Sequence, residues 1–272
     1  YYTPRRLVIW HKEFKTSQDD SIEEFFGAPL AVAYKDGVAT AAANGFAKKC
    51  GVSLEELSST QKGGKEVLYY KKEVSGQDAI HLLEEIIYTW ITSLEFGKSM
   101  RWGSSSESFI RPVRWLNVML GDALVDITLF DVKSSKTTFV HRISNFDAVA
   151  VNTQEEYFEI LKNGGVTLDS CIRREKILND FKNIESDTGL AIEIDDELLS
   201  EVIAITENPT ALLGSFDEDF LRLPPEVIIT SMKEHQRYFP VFKDGILTNK
   251  FVVVSNALTD DFSQVIKGNE KV

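Results

Sequence analysis

Apolar positions that recur at three-to-four residue steps mark out the helices of this chain. Over 78–96, Ile80, Leu83, Ile87, Trp90, Ile91 and Leu94 fall on one stripe, with Glu84, Glu85 and Glu95 facing away from it. That spacing predicts an amphipathic helix with one buried face. Ala41-Ala42-Ala43, Phe46, Ala47 and Cys50 repeat the helical step, and Gly51 is a natural stop. Ser53 and Glu56 form a capping box for a short helix, and Thr153 and Glu156 box the start of another that ends near Gly164-Gly165. A long charged helix follows over 169–187, then one over 195–207 that Pro209 stops. Pro224-Pro225 opens a helix through Gln236, since proline suits a first turn.

Strands are expected where β-branched and aromatic residues cluster between turn residues. Such runs lie at 5–10, 66–74, 109–110, 113–120, 124–130 and 137–140, with Gly121-Asp122 as a turn, and the stretch after Gly97 reads as the β heart of the chain. A further β pair turns at Lys243-Asp244-Gly245 and continues over 250–255. Residues 15–24 read as an acidic linker, followed by Gly27-Ala28-Pro29, an apolar run to Tyr34 and a turn at Lys35-Asp36-Gly37. Strands and helices in blocks, without strict alternation, argue for an α+β fold with mixed or antiparallel sheets and flanking helices. The division expected is a strand-rich part at 1–150 and a helix-rich part at 151–272, or one continuous unit.

Composition adds exclusions. With 272 residues, 43% hydrophobic and 26% charged, the chain can bury a sizeable core and does not resemble a disordered segment. No apolar run reaches the ~20 residues of a membrane span, and the first ten residues lack the order of a signal peptide, so a soluble protein is expected. Both ends read as cuts in a longer chain. Cys50 and Cys171 stand apart and outside any C-x-x-C pair, which suits two reduced thiols. A net charge of -12 argues against a surface that embraces nucleic acid as a whole, because its mean field repels phosphate, so any RNA contact must be a local patch.

Among catalytic motifs there is no phosphate-binding G-x-x-x-x-G-K-[ST], no G-x-G-x-x-G, no H-E-x-x-H and no G-x-S-x-G. Lys62-Gly63-Gly64-Lys65 precedes a strand and reads as a hairpin loop; a phosphate loop would lead into a helix. His11, His81, His141 and His235 have no metal-ligand spacing, and Asp217-Glu218-Asp219 reads as a solvated acidic turn. Arginines interleaved with aromatic and turn residues stand out instead. Guanidinium forks suit phosphates and carboxylates, and a neighbouring ring can stack on them or on a base. Each arginine could equally pin a loop to backbone carbonyls or to one of the many acidic side chains.

Taken in order, these patches resemble the beta subunit family of the two-subunit bacterial glycyl-tRNA synthetases. The resemblance rests on Thr3-Pro4-Arg5-Arg6-Leu7, Met100-Arg101-Trp102-Gly103, Arg111-Pro112-Val113-Arg114-Trp115, His141-Arg142, Met232 with His235-Gln236-Arg237-Tyr238-Phe239-Pro240, and Gly268-Asn269-Glu270-Lys271-Val272. These six blocks are collinear over nearly the whole chain. Ile143 departs from the aromatic that usually follows His-Arg.

The resemblance implies an N-terminal fragment of a subunit in a cytoplasmic α2β2 ligase that joins glycine to its tRNA. ATP and Mg2+ would be used on the alpha subunit, and the fragment itself would hold no catalytic residue, cofactor or metal. It also implies a region similar to the B3/B4 domain of phenylalanyl-tRNA synthetase. The expected partners are the alpha subunit, tRNA(Gly) and the remaining beta-subunit domains, with no membrane. Candidate tRNA or interface contacts are Arg5, Arg6, Arg101, Arg111, Arg114, His141, Arg142, His235, Gln236 and Arg237. Two alternatives stay open: an editing-like deacylating domain, and a protein-interaction scaffold without RNA contact.

Overall fold

Two units emerge from the contacts of the computed structural model, which describes residues 1–104 and 106–272. One comprises Tyr1–Lys12 and Phe96–Val272, the other Glu13–Glu95. The division expected at residue 150 followed composition, and residue 150 lies inside the first unit.

In the Glu13–Glu95 unit, strands β1 (Ser21–Pro29), β2 (Ser58–Lys62) and β3 (Lys65–Val74) form an antiparallel sheet in the order β1-β3-β2. Gly63 and Gly64 join β2 to β3 with φ of +61° and +74°, the left-handed pair that a two-residue hairpin requires, so the Lys62–Lys65 loop is a turn. Helix α1 (Ala41–Cys50) starts where Thr40 Oγ1 accepts the Ala42 N–H and stops at Gly51, which has a φ of +72°. It sets Ala43 and Phe46 against Leu68 of the sheet, and Ala33 completes this small core. The Glu56 carboxylate accepts the Ser53 N–H at 2.9 Å and caps a single turn of 3-10 helix.

Helix α2 (Ala79–Thr92) lies where the period placed it, but its apolar stripe is less buried than expected. Leu83 is buried, Ile80, Ile87 and Ile91 are half-buried, and Trp90 is exposed. Two further expectations need correction. The acidic stretch 15–24 is not all linker, because Ser21 to Glu24 pair with Lys71 to Val74 in the ladder. The apolar run after Pro29 is one helical turn, Leu30–Ala33, where two alanines favour helix over strand.

The larger unit begins with a hairpin pairing Tyr2–Thr3 with Arg6–Leu7, so the strand expected over 5–10 shrinks to two residues. The expected β heart is also corrected. Over 97–150 the named ladders among the described residues are two-residue pieces: Met119–Leu120 with Ala123–Leu124, Thr128–Leu129 with Val132–Lys133, and Thr137–Thr138 with Val149–Ala150. This stretch is apolar because rings pack there: Phe96 on Phe109, Phe109 and Trp102 on Phe130, and Trp115 on Phe139, with centroids 4.9–5.5 Å apart.

From residue 153 the expected elements appear as helices α3 (Gln154–Asn163), α4 (Ser170–Thr188) and α5 (Asp196–Ile205), with Thr153, Asp169 and Asp195 as N-caps. They are joined by strands β4 (Ala191–Ile192), β5 (Thr210–Ser215), β6 (Phe239–Lys243) and β7 (Ile246–Ser255), helix α6 (Pro225–Thr230) with a π-helical turn (Ser231–Gln236), and helix α7 (Ser263–Lys271). The four strands form an antiparallel sheet in the order β4-β6-β7-β5.

Helices cover both faces of that sheet. Ile177 and Phe181 of α4 and Leu199 and Val202 of α5 pack on Phe239, Val241 and Val252. Ile228, Met232 and the α7 residues Val265 and Ile266 pack on the other side with Leu212, Phe251 and Val253. Gly214 is small for a reason: a Cβ there would lie 2.5 Å from Cζ of Phe251. The architecture is therefore α+β with antiparallel sheets. Among the described residues, no helix is long and apolar enough to cross a membrane.

Candidate arginine and aromatic interface

The sequence offered ten contact residues, and the fold divides them into an interior group, an exposed group and a third group on the π-helical turn. The interior group surrounds Glu207, which is fully buried just beyond α5. Its Oε1 accepts from Thr3 Oγ1 at 2.7 Å and from Arg6 Nη2 at 3.0 Å, while Oε2 lies 3.7 Å from Arg5 Nη1. The two arginines also satisfy backbone carbonyls, Arg5 donating to Val140 O and Arg6 to Phe139 O, both at 2.8 Å. Each guanidinium lies within 6 Å of the Trp115 ring, which itself packs on Phe139.

Arg173 of α4 closes the other side. It is fully buried and donates to the carbonyls of Tyr2, Thr167, Leu168 and Ile203. Burial lowers the pKa of both Arg173 and Arg5. For Arg5, Glu207 opposes the shift, and the neighbouring charges of Arg6 and Arg142 add to it.

His141 belongs to this interior. It has no exposed surface, and its Nδ1 accepts the Ile143 N–H at 3.3 Å, which leaves Nε2 to carry the proton of a neutral ring. Burial holds its pKa below the usual histidine value, with Glu207 and Asn256 acting in the opposite sense. Among the described residues, Thr138 Oγ1, His141 Nε2 and Glu207 Oε2 find no hydrogen-bond partner although they are buried. Arg6 and His141 are thus placed as interior residues, and Arg5 is only partly open.

The exposed group is Arg101, Arg111, Arg114 and Arg142. None of the four makes a hydrogen bond or ion pair with another described residue. They flank the packed rings: Arg101 precedes Trp102, which rests on Phe130, and Arg114 precedes Trp115.

The third group sits on the π-helical turn. Arg237 has a φ of +60°, rare for a side chain with a Cβ, and its guanidinium bonds to the Lys233 and Glu234 carbonyls and to Glu201 at 2.7 Å. Those bonds lock the turn and leave His235 and Gln236 exposed. Carboxylates surround them: Glu234 is exposed, and Glu193 and Asp195 hold Lys233.

Sequence reasoning missed Glu207, Thr3 as a ligand of Glu207, and Arg173. A carboxylate in Thr206-Glu207-Asn208-Pro209, at the end of an apolar helix, was the available signal for the first. Arg173 gave none, since one arginine in a charged helix looks like any other. Among the described residues, no three His, Cys, Asp or Glu side chains gather as a metal-binding set.

Comparison with known proteins places these residues in context. A profile of the family described as "Glycyl-tRNA synthetase beta subunit" matches residues 1–272. The chain is 41% identical to the glycine--tRNA ligase beta subunit of Helicobacter pylori (strain HPAG1), 37% to that of Moorella thermoacetica and 38% to that of Bacillus subtilis (strain 168). In each case the match covers all of this chain and 40–41% of the relative, so the chain spans about two fifths of their length.

Proposed function

The chain belongs to the glycyl-tRNA synthetase beta subunit family, and from that premise we propose that it is a noncatalytic part of a glycine-tRNA ligase that supports tRNA binding and assembly. One observation carries this reading. An acidic chain spends Arg5, Arg6 and Arg173 on its own interior, yet leaves Arg101, Arg111, Arg114 and Arg142 exposed without an ion-pair partner among the described residues. Guanidiniums left open beside aromatic rings suit phosphate and base contact. In this reading the enzyme is a cytoplasmic α2β2 assembly, with ATP and Mg2+ used on the alpha subunit and tRNA(Gly) held partly by this segment. The sheet with helices on both faces is compatible with likeness to the B3/B4 domain of phenylalanyl-tRNA synthetase.

The test is the salt dependence of tRNA(Gly) binding. Arg111→Ala with Arg114→Ala should weaken binding and make the logarithmic salt slope shallower by about 2 if each arginine meets one duplex phosphate. An unchanged slope in a folded double variant would remove these two from the contact.

A scaffold role is favoured at the π-helical turn. His235 and Gln236 are exposed on a turn whose cations Lys233 and Arg237 are already held by Glu193, Asp195 and Glu201. These charges are engaged within the chain, and a neutral polar surface is left that suits a protein partner better than a phosphate backbone. The deacylating alternative gains no support from His141 and Glu207, since both side chains are closed to solvent.

A further inference from the structure

The three-stranded sheet of the Glu13–Glu95 unit has a second face. Because successive side chains on a strand alternate, Phe25, Leu68 and Tyr70 turn toward α1, and their neighbours turn away. The outward face carries Phe26 and Tyr69, directly opposite each other across β1 and β3, with ring centroids 5.5 Å apart. Phe26 is 39% exposed. By the same register Lys62, Lys65 and Lys71 share that face.

Lys15, Lys133, Lys176 and Lys233 hold carboxylates, whereas Lys62, Lys65 and Lys71, like most lysines of the chain, have no ion pair among the described residues. Lys62 instead places its ammonium 3.4 Å from the centre of the Phe26 ring. Two carboxylates share the face: Glu24 accepts the Tyr69 hydroxyl at 2.5 Å, and Glu73 stands near the far end of β3. A patch with more cations than anions, centred on two adjacent rings, is a local reversal of a chain whose net charge is -12.

We infer that this face binds single-stranded nucleic acid, with unpaired bases stacking on Phe26 and Tyr69 and the three lysines meeting phosphates. A sheet bearing an exposed ring, Phe26, beside a half-buried one, Tyr69, offers a platform to which any base can stack, and flanking cations track the backbone. Lysines 65 and 71 stand about 20 Å apart along β3, room for the shortest site sizes, roughly four nucleotides. Lys62 must leave the Phe26 ring to admit a base. An exposed cation–π contact is weaker than a stacked base, so the exchange is favourable. A protein occupant fits less well, because lysine is depleted at protein interfaces. The inference goes beyond the reading above and stands apart from it, since Arg111 and Arg114 lie outside this unit.

The test uses the full chain and a fluorescently labelled uridylate decamer, read by anisotropy from 50 to 200 mM salt. Binding is expected, with Phe26→Ala and Tyr69→Ala each weakening it about tenfold and Tyr69→Phe, which keeps the ring, binding like the parent. Lys62→Ala with Lys65→Ala should make the salt slope shallower by about 1.4, the single-strand value for two phosphates. Duplex RNA should displace the decamer poorly. The proposal falls if the decamer does not bind, if duplex competes equally, or if folded Phe26→Ala and Tyr69→Ala variants bind like the parent. Should the ring variants fail to fold by circular dichroism, Lys62→Glu with Lys65→Glu, both at exposed positions, decides: undiminished binding overturns the proposal. The same variants assayed with tRNA(Gly) show whether a tRNA loop or another strand is the source of the bases.

Discussion

Glu207 gathers Thr3, Arg5 and Arg6 around one buried carboxylate. Its side chain and that of Arg6 are almost entirely shut off from water, and breaking a buried pair leaves an uncompensated charge at a cost of about 3–5 kcal/mol. Glu207→Gln should therefore lower the unfolding free energy sharply, read as a fall in the urea midpoint, whereas Lys15→Ala, at an exposed pair, should change that free energy by less than ~1 kcal/mol. Equal effects would show that the pair is no more than a surface contact. His141 gives a second prediction. Its folded pKa lies below the unfolded value, so the unfolded chain binds the extra proton first, and stability falls as pH drops through about 6.5. The carboxylates with lowered pKa, Asp195 and Asp261 among them, lose their contribution only at lower pH. Between pH 7 and 5.5 the melting temperature should decline, and His141→Gln should be less stable at pH 7 but show a flatter decline. An equally steep decline in that variant would assign the proton elsewhere.

At the scale of elements, Asp195 joins two devices. It caps α5 by accepting the Glu197 and Leu198 N–H groups, and it also receives Lys233 from the π-helical turn. Asp195→Ala should cost about 1 kcal/mol from the cap, and it should also raise amide exchange in Ser231–Gln236. Exchange unchanged in that turn would separate the two roles. Local chemistry explains what the sequence disclosed. Gly51, Ser53 with Glu56, Thr153 with Glu156, Asp169, and the Gly63-Gly64 and Asp244-Gly245 turns all act within four residues of themselves, and each defined its element. The stretch 97–140 failed because apolar content does not distinguish a ladder from a ring cluster. Trp102, Phe109, Trp115, Phe130 and Phe139 pack on one another, with few backbone pairs between their segments. The same limit applied to the candidate contacts. Arg5, Arg6 and His141 read like Arg111 and Arg114 in the sequence, and the first two are drawn inward by partners far along the chain, the Phe139 and Val140 carbonyls and a carboxylate some two hundred positions away.

For the whole molecule, the order of the chain matters. It starts in the larger unit, leaves it at Lys12 and returns at Phe96, so the smaller unit is an insertion with a core of its own. Replacing Glu13–Glu95 by a short glycine-serine linker should leave a protein that still melts cooperatively, because the cores around Phe181, Phe239 and Met232 use no residue of the insertion. A featureless melt would make the insertion part of the same folding unit. The long reach from Thr3 to Glu207, a separation of 204 residues, also bears on biosynthesis. At roughly 5–20 residues per second, the ribosome releases the counter-ion of Arg5 and Arg6 about 10–40 s after the arginines themselves. Throughout that interval the segment around Arg5 and Arg6 lacks its carboxylate partner and stays within reach of chaperones and proteases.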